Sequence, residues 1–381
     1  MSRLLRLLTI GHSYVVALNR RLPHEMARQG ADRWQVTVAA PRFVQADLRP
    51  IYLENFPKEA AELVPIEAYL TFRPHLLLYG RRLKSLMAQR WDLIHCWEEP
   101  YVLSAWQCAW WAQRQPLVYY TFQNIAKNYP PPFQQIERFV MRRANAWLGA
   151  GHTVVATLQA RKGYRERPHR VITLGVDAET FRPDRLAGRA IRQKLGWEAD
   201  GPPVIGYLGR FVPEKGLGLL QRVLEKLRSP WRALFVGGGP LKMDLQQWAQ
   251  SYGAERVQIV DSVVHEEVPN YLNAMDILAG PSQTTPKWRE QLGRMLIEAM
   301  ACGVPVIGSD SGEIPYVIGD AGCVVPEKDV AAWSATLEYL LNSPERRRQL
   351  GQAGRQRIEA QFAWSVIARQ HLDFFNQLLD T

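Results

Sequence analysis

No apolar run in this chain approaches the ~20 residues that a membrane-spanning helix needs. Cysteine is scarce: Cys96, Cys108, Cys302 and Cys323 are all there is. They show neither a paired metal spacing nor a redox pair, so they read as buried thiols of a reducing cytosol and not as zinc ligands or disulfides. Internal repeats and low-complexity tracts are also missing. Carboxylates are lacking in one half only. Met1 to Gly175 holds 12 Asp and Glu against 24 Lys and Arg, whereas the remainder holds 25 against 23. The net charge of +10 therefore belongs to the first half. Such an asymmetry favours an anionic partner there, namely a membrane leaflet, a lipid phosphate or an acidic glycan. The bland alternative is solubility on an Arg-rich background. No recognisable nucleic-acid-binding module accompanies the charge, so nucleic acid is not expected as a partner.

What is present speaks for two globular domains: 381 residues, 47% of them hydrophobic, are too many for one ordinary core. The basic, apolar start up to Ile10 is short and runs into Gly11-His12-Ser13, so it reads as a buried first strand and not a leader. Residues 4–10, 35–39, 93–96, 117–121 and 146–150 read as strands, with helices over 18–29, 103–113 and 133–144. A second set follows: strands over 204–208, 232–236, 257–260, 277–279 and 304–307, and helices over 217–227, 241–252 and 296–301. This alternation predicts two doubly wound α/β sheets. The last segment, 362–379, has apolar residues at helical spacing.

The stretch from Glu290 to Glu298 carries the most chemistry. The two carboxylates stand eight positions apart, which on a helix is roughly one face. Gly293 between them permits a close approach of backbone to ligand. A helix starting near Leu296 would offer its N-terminal N–H groups to a phosphate. Carboxylates at the turn and in the helix suit vicinal hydroxyls. Together they describe a site for something carrying both phosphate and sugar.

The segment resembles the donor-site motif of retaining GT-B glycosyltransferases of family 4. Four further pieces agree in order: Gly175-Val176-Asp177 with Phe181-Arg182-Pro183, then Gly209 to Gly216, then Val236 to Pro240, then Tyr271 to Ser282. The resemblance implies an α/β GT-B fold of two Rossmann-like domains facing a central cleft. The domains expected are 1–178 on the acceptor side and 179–360 on the donor side, with 361–381 a helix returning to the first. In such sheets the ligand lies at the carboxyl ends of the strands.

By that resemblance Arg210 and Lys215 hold the diphosphate, Glu298 the ribose and Glu290 the donor sugar. The backbone of Gly293, Arg294 and Met295 holds phosphate or sugar, and Gly209 flanks the cation pair. Fixed cations beside a leaving diphosphate stabilise the charge it develops. Gln291-Leu292-Gly293 replaces the family's Gly-Phe-Gly, which leaves donor identity open. The first loop keeps a single glycine, Gly11, where the family often has two. Gln123 stands where many members carry a histidine; an amide can hold a sugar hydroxyl but cannot shuttle a proton, and Asn124 shares that role. His12, His95, Glu98 and Glu99 are candidates to orient the acceptor hydroxyl or take its proton; a solvated acidic turn is the plain alternative for the last three. Residues 72–90 read as a basic surface helix for an anionic membrane, or else as a core-facing helix with a basic outer face. No Asp-x-Asp triplet occurs, and no cofactor or metal is expected. The function implied is transfer of a sugar from a UDP- or GDP-sugar to a hydroxyl of a lipid, glycan or small molecule, with retention. The expected setting is the cytoplasm, at the inner membrane face. The alternative is a non-catalytic nucleotide-sugar-binding regulator.

Overall fold

The computed structural model describes residues 3–45, 50–198 and 201–380. The chain divides into two units. The first comprises residues up to Gly175 together with those from Trp364 onward, and the second comprises Val176–Ala363.

The first unit is built on seven parallel strands: β1 (Leu5–Ile10), β2 (Trp34–Pro41), β3 (Glu62–Ile66), β4 (Leu93–Cys96), β5 (Leu117–Thr121), β6 (Ala146–Gly149) and β7 (His169–Val171). Their spatial order is β7-β6-β5-β4-β1-β2-β3. Every residue of β4, β5 and β6 is buried, as a parallel sheet covered on both faces requires. The last helix, Trp364–Leu379, buries Trp364, Ile367, Ala368, His371, Leu372 and Phe375. These recur at intervals of three and four and form one apolar stripe. The stripe lies in one cluster with Leu22, Met26 and Trp34 of the first unit, and Trp34 Nε1 donates to Asn376 Oδ1 at 3.0 Å.

The second unit holds six parallel strands: β8 (Val204–Arg210), β9 (Arg232–Gly238), β10 (Val257–Val260), β11 (Ile277–Gly280), β12 (Val306–Ser309) and β13 (Cys323–Val325). Their order is β10-β9-β8-β11-β12-β13, the arrangement of a dinucleotide-binding sheet, in which ligands gather at the carboxyl ends near the central strand. The unit is entered through the helix Arg185–Lys194, capped by Asp184, whose Oδ1 accepts from Leu186 N and Ala187 N at 3.0 Å each.

Two local expectations change. The 72–90 stretch is not one helix. Residues 74–76 form a single tight turn, Leu78–Tyr79 pair with Ala68–Tyr69, and only Arg81–Met87 is helical. Leu83, Leu86 and Met87 face the core while Arg81, Arg82 and Lys84 are exposed, so its apolar side is already taken. Second, Glu290 and Glu298 do not share a helical face. The helix runs Arg294–Ala301, and Gly293 before it adopts φ +76°. That left-handed residue stops the helix from extending back, and Glu290 stays in the preceding loop.

Candidate active site

In the second unit the carboxyl ends of β8 and β11 bring together the residues singled out in sequence. Arg210 ends β8, exposed, with its carbonyl held by the Tyr207 hydroxyl at 2.8 Å. The loop then turns through Lys215 to Gly216. Gly216 has φ +75°, and a Cβ there would come within 1.8 Å of the Pro281 carbonyl oxygen. Glycine at this position thus lets the lysine loop lie directly against the end of β11.

Lys215 is consequently delivered to Glu290. Its Nζ stands 2.5 Å from Oε2, and Ser282 Oγ donates to the same oxygen at 2.7 Å. Gly293 N donates to Oε1 at 3.3 Å. Lys215 Nζ also lies 4.9 Å from the Trp288 ring centroid, a cation–π distance. Glu290 is only 6% exposed, and burial with this many donors holds its position. Two residues reserved for separate tasks, the phosphate cation and the sugar carboxylate, are in direct contact. Sequence reasoning overlooked Ser282 and Trp288 as their neighbours. Ser282 closes a quoted motif, but only the meeting of the loop with β11 shows what its hydroxyl does.

Glu298 sits on the Arg294–Ala301 helix, also buried. Burial pushes its carboxyl up to about 7, with the Arg294 guanidinium pulling the other way. The first-turn N–H groups of that helix, Arg294 and Met295 among them, have no acceptor within the helix and form an anion-binding end. Gly209, with φ +146°, is the last residue of β8 before Arg210.

In the first unit Gly11 follows β1, packed so that a methyl group would press on Trp97 and Tyr14 at 3.2 Å. The next residue, His12, is locked to Glu98: its backbone N donates to Oε1 at 2.8 Å, and Nδ1 lies 2.9 Å from Oε2. Glu98 also accepts from the Tyr79 hydroxyl and, at 3.1 Å, from Ser104 Oγ. Burial opposes both charges, yet mutual attraction prevails: the His12 pKa is raised and that of Glu98 lowered. Glu99 is fixed instead by Thr121 Oγ1 at 2.5 Å and Phe122 N at 2.8 Å, and burial raises its carboxyl. His12, Glu98, Glu99, Tyr101 and Phe122 line one cavity of 310 Å³. The two carboxylates are thus held groups and not a solvated turn.

His95 is the exception. It is fully buried, bonded through Nδ1 to Thr9 Oγ1 at 2.9 Å, and packed against Tyr120, His371 and Phe375. It lies on the side of β4 that the final helix covers and is not among the residues lining the Glu98 cavity. Its place among the acceptor-side residues is therefore withdrawn. Gln123 is 8% exposed, and neither its amide nitrogen nor its amide oxygen has a partner. A buried primary amide left wholly unpaired is rare in a finished core. Asn124 beside it is buried, its carbonyl accepting from Thr157 Oγ1 at 3.2 Å.

Comparison with known proteins adds three findings. The model described as "Glycosyltransferase Family 4" matches residues 20–180, and that described as "Glycosyl transferases group 1" matches residues 189–357. A GDP-mannose-dependent monoacylated alpha-(1-6)-phosphatidylinositol monomannoside mannosyltransferase of Corynebacterium glutamicum is 35% identical over 203 residues, covering 51% of this chain and 53% of that protein. A GDP-mannose-dependent alpha-(1-6)-phosphatidylinositol monomannoside mannosyltransferase of Mycolicibacterium smegmatis is 39% identical over 189 residues, covering 48% and 49%. The chain spans about half the length of these curated relatives. Among solved structures, a sucrose-phosphate synthase of Thermosynechococcus elongatus superposes with a TM-score of 0.73 at 22% identity, covering 99% of each chain. A glycosyltransferase of Rickettsia africae gives 0.77 at 17% identity, covering all of both.

Proposed function

Because the chain belongs to glycosyltransferase family 4 and has the GT-B fold, we propose that it transfers a sugar from a UDP- or GDP-sugar to a hydroxyl-bearing acceptor with retention of anomeric configuration. The observation that most supports this is the buried Lys215–Glu290–Ser282 cluster at the end of β11, just ahead of the helix that carries Glu298. In this reading the helix N-terminus, Arg210 and Lys215 bind the diphosphate. Glu298 accepts from the ribose hydroxyls, and Glu290 holds the sugar and keeps Lys215 in place. Gln123 offers its unpaired amide to a sugar hydroxyl. His12, fixed by Glu98, orients the acceptor.

Transfer breaks the bond from the anomeric carbon to the phosphate oxygen, and the acceptor oxygen bonds to that carbon on the same face. The acceptor proton passes to the leaving phosphate oxygen. The cations at the diphosphate take the charge-stabilising part that a divalent ion plays elsewhere, so turnover is expected without added metal. GDP-mannose is the first donor to try, since the mannosyltransferases named above use it. The acceptor class is a lipid, glycan or small molecule.

A peripheral position on an anionic leaflet belongs to the same proposal. Exposed Tyr69 and Phe72 precede the basic helix, and Tyr69, Arg81, Lys84 and Trp111 line one surface cavity of 410 Å³.

A panel of UDP- and GDP-sugars, assayed for nucleoside diphosphate release with chelator present, tests the activity. The anomer of the product, read by NMR, tests retention. A donor that binds for hours with no diphosphate released would sink the proposal and leave a regulator that binds sugar nucleotides.

A further inference from the structure

Between residues 114 and 170 the chain carries ten Lys and Arg but only two carboxylates, Glu137 and Glu166. Most of the positive excess of the first unit therefore arises in this short stretch, and nothing above uses it. The fold gathers five of those cations. Lys127, Arg138, Arg142, Arg161 and Lys162 line a cavity of 610 Å³ against the helix Phe133–Arg143, with Tyr129 in its wall.

The two carboxylates do not balance them. Glu137 is committed to an ion pair with Arg161 and to the Tyr164 hydroxyl at 2.9 Å. Glu166 stands opposite Lys162 at 3.8 Å. Among the described residues no carboxylate pairs with Lys127, Arg138 or Arg142. Like charges crowded into a concave site raise one another's potential, and an anion bound there relieves it. Guanidinium groups present paired N–H donors that fit phosphate oxygens.

One wall of this cavity is half of an aromatic pair. The Tyr129 ring stacks on Tyr101, centroids 4.0 Å apart and planes 17° from parallel. Tyr101 in turn lines the cavity that holds His12, Glu98 and Glu99. Two cavities, one basic and one with the held His–Glu pair, back onto the same aromatic pair.

We propose that the Lys127–Arg138–Arg142 cavity binds a phosphate ester carried by the acceptor, whose hydroxyl reaches the His12 cavity past the Tyr101–Tyr129 stack. This rests on the acceptor-side reading of His12 and Glu98. It narrows the acceptor to hydroxyl compounds that bear a phosphate. A soluble phosphate ester and a lipid headgroup share that chemistry.

The probe is glycerol 3-phosphate, followed by phosphorus NMR line broadening, with glycerol as the neutral control, followed by proton NMR line broadening. Saturating nucleoside diphosphate keeps the donor site filled. Wild type should bind the ester, less tightly as salt rises, and ignore glycerol. Arg138→Glu combined with Arg142→Glu should weaken it at least about tenfold. Both side chains are exposed, so the fold is retained, and nucleoside diphosphate affinity in the same samples should not change. Equal binding of the ester by wild type and variant would overturn the site, as would no binding by wild type. Vesicles of phosphatidylglycerol against phosphatidylcholine distinguish the sources. If the variant loses the anionic vesicles but keeps glycerol 3-phosphate, the cations serve the bilayer surface and the proposal falls. If it loses the ester and binds vesicles as before, a discrete phosphate site is supported. Nucleoside diphosphate binding is measured independently, so failure here is distinct from failure of the donor-site reading.

Discussion

Lys215 and Glu298 illustrate opposite ways of keeping a charge inside a protein. Lys215 has a carboxylate at 2.5 Å, whereas Glu298 has no such partner and rises to about 7 through burial. Replacing Lys215 or Arg210 with Ala should lower turnover about 10²-fold or more, the scale for removing one preorganised charge-stabilising group. Full turnover in both variants, measured as diphosphate release, would remove them from the reaction. For the carboxylates, Glu298→Ala should weaken binding of free nucleoside diphosphate, while Glu290→Ala should spare it and weaken only the sugar-bearing donor. Calorimetric titration with both ligands decides this, and equal losses throughout would show the roles wrongly divided. Glu298 also sets a pH dependence. Its folded value lies above the ordinary 4.5, so the folded chain binds more protons than the unfolded one between pH 4.5 and about 7. Stability therefore falls as pH rises through that window, and the buried carboxylate costs most above it. Glu298→Gln should raise the unfolding midpoint of the ligand-free protein at pH 8, by on the order of 1–3 kcal/mol of stability, and change it little at pH 4.5. No gain at pH 8 would mean that the carboxylate is better solvated than its burial implies.

Among the elements, the contact of the final helix with β4 is expected to weaken in acid. His95 and His371 lie with ring centroids 5.6 Å apart, both fully buried, and Nε2 of each lacks a partner. Burial lowers His95 well below 6.5, His371 lowering it further. Burial brings His371 to about 4, against a small upward pull from the Ile367 carbonyl. The unfolded chain then binds more protons as pH falls below 6.5, so this packing is at full strength above 6.5 and weakens towards pH 4. Thermal unfolding followed from pH 7 to 5 should show a falling midpoint, with the slope reduced in His371→Leu; a flat wild-type profile would contradict it. The histidine pair also shows where sequence reasoning stops. β4, β5 and β10 were legible to the residue because short apolar runs between turn signals have few other readings. β3, with Pro65 and exposed Glu62, and β7, with three half-buried residues, lack that signature, since edge strands need no continuous apolar run. The glycines and glutamates of the donor site were legible through motif order. Which side of β4 His95 faces was not, because that depends on register against neighbours distant in sequence. Nor did the chain's text reveal that Ser282 and Lys215 share one oxygen of Glu290.

For the whole molecule, charge is the property most open to test. The first 175 residues carry the entire excess of Lys and Arg, 24 against 12 acidic residues. Attraction to acidic lipid of about 1 kcal/mol for each cation near the surface should appear at low salt and fade as salt is added. Co-sedimentation with phosphatidylglycerol vesicles should be reduced when Arg81, Arg82 and Lys84 are changed to Glu, with nucleotide affinity unaltered. A wild type that ignores such vesicles at low salt would assign those cations another task. The division of the chain bears on its synthesis as well. The second unit is one continuous stretch, while the first is closed by a helix made only after that stretch. A ribosome therefore releases the Val176–Ala363 unit able to fold at once, while the sheet begun at Leu5 waits with Leu22, Met26 and Trp34 uncovered until Trp364 and the residues after it emerge. The half made first is completed second, and during that interval its open apolar face is the one a chaperone would need to shield.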